Sequence, residues 1–411
     1  MVSIAQRPRG ADRSQLSRTL APHRLRRPLL RVAALFSAMA LAACEPSGLS
    51  VGGPQTGPII DPTQPLQVAL LVPGGSGDPN YDYMARSMSN AARMAVADAQ
   101  GARIDLRIYD SGDDAALAVQ RANQAVAEGA KIIVGPLHAE SANAVGTAVA
   151  GRVNVLSFSN NADIAGGNLF VLGNTFGNTA DRLVSYGVSQ GLSRFLLVHE
   201  NDVAGQIGGA AIETAIARNR ATLVGKSAHG PTRPEMDAIA PTVARAAAAN
   251  QAQAIFLTGN NQAVLPEIAA ALAEAGLSSR SIQLMGLTRW DVPASRAALP
   301  QLQNGWFAIP DLGRMAQFNS RYRAAYGETP HEFATLAYDA VSALAAQLRA
   351  GRRNAVTTAG LTQGAGFAGI QGTFRLMPDG SNQRQLSVAT LRGGQLVVLD
   401  PARGSFRGAG F

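Results

Sequence analysis

One cysteine, Cys44, occurs in 411 residues, and aromatic residues make up only 5% of the chain. With no second thiol to pair, an exported protein of this sequence forms no internal disulfide and must rest on its core. At 46% hydrophobic residues that core can be large, on the scale of about two domains. A long apolar run is missing too. The stretch from Val32 to Ala43 falls short of the roughly 20 residues that a membrane-spanning helix needs. Basic charge is scarce once it is located: the formal net charge is +8, but Arg7, Arg9, Arg13, Arg18, Arg24, Arg26, Arg27 and Arg31 precede the apolar run against Asp12 alone. The rest is close to neutral, which excludes the basic patch that nucleic acid requires.

What is there begins with an export pattern, a basic region followed by a short apolar one, which reads as a signal peptide over 1–43 rather than as an uncleaved anchor. Leu41-Ala42-Ala43-Cys44 resembles a bacterial lipobox, which implies a lipid on Cys44 and a membrane-held, periplasm-facing protein. Glu45 follows the cysteine where inner-membrane retention is associated with aspartate, so the outer membrane is favoured over the inner. Residues 44–65 are rich in glycine, proline and serine without apolar period, and read as a flexible tether.

From Gln67 the pattern alternates. Short apolar runs at 67–72, 104–109, 131–134 and 153–157 are separated by stretches with helical spacing, and a second series of the same kind runs from Leu169 to Gly286. Strand–helix alternation demands parallel pairing, because parallel neighbours need a crossover that helices supply. The fold class is therefore α/β, with two doubly wound, mostly parallel sheets flanked by helices. The end departs from this: after helices at 315–326 and 332–349, turn residues at Pro378-Asp379-Gly380 and Gly393-Gly394 punctuate hairpin-like strands.

QVALLVPGGSG at 67–77, Ile133-Val134-Gly135-Pro136-Leu137, Val155-Leu156-Ser157-Phe158-Ser159, Leu336-Ala337-Tyr338-Asp339-Ala340 and Gly372-Thr373-Phe374 resemble, in that order, the two-lobe type I periplasmic-binding-protein fold of the leucine/isoleucine/valine-binding class. The resemblance implies lobe one over 66–171 and 311–359 and lobe two over 172–310 and 360–411. It also implies a ligand between the lobes, at the carboxyl ends of the strands. On that geometry the candidate cleft residues are Gly75, Ser76, His138, Glu140, Ser141, Ser159, Asn160, Asn161, Asn260, Arg289 and Trp290. The class's amino-acid binders hold a carboxylate on lobe one and an ammonium on a lobe-two acid. Here Leu287-Thr288-Arg289-Trp290 stands where that acid is expected, and Arg289 would repel an ammonium and attract an anion.

The chain also resembles the lipoprotein activators of penicillin-binding proteins, on its lipobox, its tether, Ser157-Phe158-Ser159-Asn160-Asn161 and Gly286-Leu287-Thr288-Arg289-Trp290. The leading expectation is thus a regulator of peptidoglycan synthesis that acts by protein contact, with Trp290 as an exposed anchor. The alternative is a solute-binding lipoprotein of an ABC importer for amino acids or related small ligands, with a permease as partner. Neither needs a cofactor or a metal, and neither is an enzyme, since no nucleophile elbow, zinc-protease helix or Walker loop occurs. Gly364-Ala365-Gly366-Phe367-Ala368-Gly369 matches the dinucleotide fingerprint as a string, but no strand precedes it, and it reads as a flexible connection.

Overall fold

The computed structural model describes residues 55–259 and 263–406, which fall within one compact unit. Cys44 and the signal segment lie outside the described residues. Lobe one begins with β1 (Leu66–Val72), α1 (Pro79–Asp98), β2 (Ile104–Asp110), α2 (Ala115–Ala127), β3 (Ile132–Val134), α3 (Ala139–Ala148), β4 (Asn154–Ser157) and β5 (Leu169–Val171). Lobe two continues with α4 (Phe176–Ser189), β6 (Arg194–Glu200), α5 (Val203–Arg218), β7 (Thr222–His229), α6 (Arg233–Ala249), β8 (Ala254–Leu257), α7 (Val264–Glu274), β9 (Gln283–Gly286) and β10 (Trp306–Ile309). The chain then returns through α8 (Leu312–Tyr326), α9 (Ala334–Arg349), α10 (Thr358–Leu361), β11 (Phe374–Leu376) and β12 (Asn382–Arg384), and ends in β13 (Ser387–Arg392) and β14 (Gln395–Asp400).

The first sheet has the order β2-β1-β3-β4-β5 and is parallel throughout. The second has the order β14-β13-β10-β9-β8-β6-β7, parallel from β10 to β7, with β13 and β14 added antiparallel. Both bear out the expected α/β class.

Each sheet is covered on both faces, and the period of two shows how. In β1, Val68, Leu70 and Val72 pack with Met88 of α1 and Leu336, Ala340 and Leu344 of α9. The alternate residues Ala69 and Leu71 pack with Ala118 and Ala122 of α2 and Val145 of α3. A fully buried leucine contributes about 1.5–3 kcal/mol, so these strands are the first source of stability in the lobe. Polar starts fix most helices in place. Asp78 accepts from the Asn80 amide at 2.7 Å, Asp114 from Leu117 at 2.6 Å and Asp202 from Gly205 at 2.6 Å. Helix α3 differs, since His138 at its N-cap makes no side-chain bond to the first turn.

Three expectations need correction. The tether does not extend to residue 65, because from Gln55 the chain is packed. Thr56 Oγ1 bonds Asn154 Oδ1 at 2.5 Å, the Ile60 amide donates to Arg353 O at 2.8 Å, and Ile60 is 8% exposed. Composition marked the segment as irregular, but its polar groups find partners one by one.

The final passage into lobe two also comes later than the expected residue 360. Phe367, Phe374 and Leu376 belong to the core of lobe one, and Leu386 is the first residue in that of lobe two. Third, the hairpin-like strands of the end do not form one unit: β11 and β12 pair as a separate two-stranded sheet around Pro378-Asp379-Gly380, while β13 joins β10. The glycine string folds back at an antiparallel bridge between Phe367 and Phe374, so it is a turn and not a nucleotide loop.

The β11–β12 hairpin clasps the first passage between lobes. Asn382 Nδ2 donates to Val171 O and Gly173 O at 2.9 Å each, and Arg384 Nη2 donates to Leu172 O at 2.9 Å. Arg384 also reaches Asp339 Oδ2 of α9 at 3.4 Å, with side chains 0% and 1% exposed.

Candidate functional site

Between the lobes lies a cavity of ≈ 650 Å³. Its lobe-one wall is made by Tyr81 and Met84 of α1, Leu137-His138-Ala139 at the start of α3, Phe158-Ser159-Asn160 after β4, and Glu332, Phe333 and Leu336 entering α9. Gly173, Asn174, Thr179, Leu287, Arg289 and Leu386 make the opposite wall. Strand ends and a helix start therefore converge on one space, as a doubly wound sheet dictates.

The lobe-one wall is built to donate. Helix α3 opens onto the cleft without a side-chain cap, so its first-turn amides have no intrahelical partner and carry the positive end of the helix dipole. The Ser159 amide donates to Ser157 Oγ at 3.0 Å, and Ser159 Oγ accepts from the Asn161 amide at 3.1 Å. That leaves the Ser159 hydroxyl proton for a ligand.

His138 Nε2 is 3.3 Å from Asp113 Oδ1, without the alignment of a hydrogen bond, and its ring meets Tyr81 edge-on at 5.5 Å. Tyr81 donates its hydroxyl to Asp113 Oδ2 at 3.1 Å, and that bond raises the phenol above its ordinary pKa.

The lobe-two wall presents a cation already engaged. Arg289 Nε donates to Asp291 Oδ1 at 3.0 Å, and Nη2 makes a second, shorter contact with Oδ2. The two side chains are 35% and 12% exposed, and Asp291 does not line the cavity. Asn174 Oδ1 faces the space buried and without a partner.

Trp290 is not a surface anchor. It is fully buried and stacks on Phe307 at 6.1 Å. Its ring fills the place that a side chain at Gly286 or Gly305 would take, so a Cβ at either position would overlap it.

Of the candidate residues, the cavity brings together His138, Ser159, Asn160 and Arg289. Gly75, Ser76 and Glu140 are exposed outside it, Ser141 is buried outside it, and Asn161 lines a neighbouring groove instead. Asn260 lies outside the described residues. Among the described residues no group of three His, Cys, Asp or Glu could hold a metal ion.

A periplasmic binding protein family model matches residues 65–395. The chain belongs to the periplasmic binding protein family. Its solved structural relatives include a protein described as a branched-chain amino acid ABC transporter from Rhodospirillum rubrum, 19% identical, with a TM-score of 0.67 over 82% of this chain and 100% of that one. Another is an ABC transporter substrate-binding protein from Desulfitobacterium hafniense in complex with leucine, 19% identical, TM-score 0.57, covering 82% and 100%. A third is a solute-binding protein from R. palustris in complex with benzoate, 19% identical, TM-score 0.51, covering 83% and 98%. At these identities the likeness establishes the shared fold. Among curated protein sequences none matches.

Within this periplasmic binding protein, the residues that the sequence reading missed are Tyr81, Asn174, Glu332 and Leu386. Each reaches the cleft from a segment with no motif of its own. Tyr81 lies in the first turn of α1, before that helix's apolar stripe becomes readable at Met84. Asn174 and Leu386 sit beside passages between the lobes and Glu332 in the connection before α9, where only the tertiary fold assigns a wall.

Proposed function

We propose that the chain is the solute-binding component of an ABC importer, and that its ligand is a small carboxylic acid with an apolar body and no ammonium group. The carrying observation is the asymmetry of the cleft: the uncapped start of α3 and the Ser159 hydroxyl on one side, and Arg289 rather than a carboxylate on the other. A carboxylate suits donors of this kind, since charge-assisted hydrogen bonds to amides and hydroxyls are short and strong. Phe158, Leu137, Leu287 and Phe333 supply the apolar surround. Among the described residues Glu332 is the one carboxylate on the cavity wall, and it is exposed on the lobe-one side, away from the position where an ammonium would meet lobe two.

The receptor works at the periplasmic face, held by a lipid on Cys44, which the leader pattern supports. Contact activation of a penicillin-binding protein has less in its favour, because Trp290 is sealed in the core of lobe two. The test is a thermal-shift series on the full chain with benzoate, short aliphatic acids and amino acids. A carboxylate at about 100 times its Kd should add about 2.7 kcal/mol, and Ser159→Ala should reduce the shift. A shift with amino acids alone, or one indifferent to Ser159→Ala, would overturn the reading.

A further inference from the structure

The near-neutral charge of the chain after its leader is unevenly spread. Parallel pairing brings the strand starts of lobe one together: Leu66 lies beside Ile104, Val68 beside Ile132, and Ile132 beside Asn154. Basic residues stand at these neighbouring starts, Arg103 before β2, Lys131 before β3 and Arg152 before β4, with Arg352 and Arg353 in the turn after α9. All of them are exposed. Backbone hydrogen bonds gather three around one segment. The Leu66 amide donates to Arg103 O at 2.8 Å, the Lys131 amide to Gln67 O at 2.9 Å, and the Ile60 amide to Arg353 O at 2.8 Å.

The acids at this end do not cancel these charges. Asp98 is taken by Arg321 and Tyr338. Asp105 and Glu128 share Arg107, which leaves one carboxylate charge over. Asp61, exposed and within electrostatic reach of Arg353 and Arg103, adds a second. Among the described residues none of the five cations makes an ion pair, and Arg152 gives its Nη2 to Asn123 Oδ1 and Ala148 O, both neutral.

The chain also enters here. Thr56 Oγ1 meets Asn154 at the start of β4 and lies 2.7 Å from Thr358 Oγ1, while Ile59, beside the buried Ile60, is 60% exposed. Residues 44–54 come before, and they can span at most ~40 Å. A lipid on Cys44 therefore holds this end within that distance of a bilayer.

We propose that the base of lobe one is a docking surface for anionic phospholipid: Arg103, Lys131, Arg152, Arg352 and Arg353 meet the headgroups, and Ile59 enters the interface beneath them. The inference rests on the reading of Cys44 as the site of lipid attachment. Basic clusters next to an anchor are drawn to an anionic leaflet, and an apolar side chain among them adds area removed from water. The cleft opens at the other, carboxyl ends of these strands, so its entrance stays clear of the lipid. A contact made of screened surface charge can be given up when the cleft turns to a permease.

The test is sedimentation of residues 44–411 carrying Cys44→Ser with lipid vesicles, since this chain has neither the basic leader nor a lipid and reads the surface alone. Mass spectrometry of the exported protein reads the lipid separately, so failure of the anchor and failure of the surface are told apart. Phosphatidylglycerol–phosphatidylethanolamine vesicles should retain the protein and phosphatidylcholine vesicles should not. Retention should weaken about tenfold when Arg352→Glu and Arg353→Glu are combined, in the same direction with Lys131→Glu, and less with Ile59→Ser. It should also fall as salt rises from about 50 to about 200 mM. Arg218→Glu, exposed on lobe two, should leave retention as it was, and every variant should keep the parent's melting temperature. Equal retention on neutral vesicles, indifference to charge reversal at the base, an equal loss with Arg218→Glu, or tighter binding of soluble polyglutamate than of vesicles would each overturn the proposal.

Discussion

Arg384 and Asp339 meet with side chains 0% and 1% exposed, whereas Arg289 and Asp291 meet at 35% and 12%. The attraction is the same and the surroundings are not. Burial pushes the Asp339 carboxyl up to about 6, against the pull of Arg384, and burial likewise lowers the Arg384 guanidinium. That pair therefore carries a large desolvation cost and is sustained by its geometry: Arg384 also donates to Leu172 O, and Asp339 Oδ1 accepts from the Ile370 amide at 2.7 Å. It ties α9, the hairpin and the first passage into one joint. The Arg289 pair, on a loop at the cleft wall, stays within reach of solvent and of a ligand. One pair fixes architecture, and the other stands on the cavity wall where the proposed ligand would meet it.

The largest effect should come from splitting the sealed pair. Asp339→Ala strands a buried guanidinium and should cost about 3–5 kcal/mol by denaturant titration, while replacing both partners with apolar residues of similar volume should recover most of that loss. The pH dependence sharpens the contrast. A carboxyl whose folded pKa is raised binds its proton more tightly in the folded state, so its contribution to stability falls as pH rises from the unfolded value of 3.8 through about 6. Asp339→Asn lacks this component, so its deficit against the parent should widen as pH is lowered from about 7 to about 5. A deficit that shrinks would break the comparison.

Next in size is Arg289→Ala. Ligand affinity in the cleft should fall about tenfold, while stability changes by less than about 1 kcal/mol, as is usual for a pair open to solvent. A stability loss matching that of Asp339→Ala would show that the two pairs do not differ in kind.

The smallest effect belongs to a third pair, Arg321–Asp98, at 44% and 36% exposure. Burial raises the Asp98 carboxyl, but hydrogen bonds from Arg321 and Tyr338 outweigh it and hold the group below its ordinary 3.8. Its contribution is present above that value and lost as pH falls through the lower folded one. Asp98→Asn should cost under about 1 kcal/mol near neutral pH.

These pairs also mark how far the residues could be read in one dimension. Strand–helix alternation from Gln67 to Gly286 is a local signal, so the α/β architecture was legible, whereas His138 and Ser159, which line the cavity, were reached through the family resemblance and not through the local pattern. Trp290 was not. Its burial depends on the slot beside Gly286 and Gly305, which exists only once β9 and β10 lie side by side. The join of Asp339 to Arg384 was equally hidden, since a buried arginine and an ordinary surface one look alike in sequence. The late passage at Leu386 was missed because glycine-rich composition marks a break in regular structure without saying which lobe the segment packs on.

The central claim is that the cleft takes a small acid without an ammonium group. Calorimetric titration of the full chain with benzoate and, separately, with leucine tests it most directly. The account predicts saturable binding of benzoate, weakened by Arg289→Ala, with leucine weaker by about tenfold or more, since an ammonium beside Arg289 finds no lobe-two acid to pair with. Tighter binding of leucine than of benzoate, with Arg289→Ala leaving both unchanged, would contradict it.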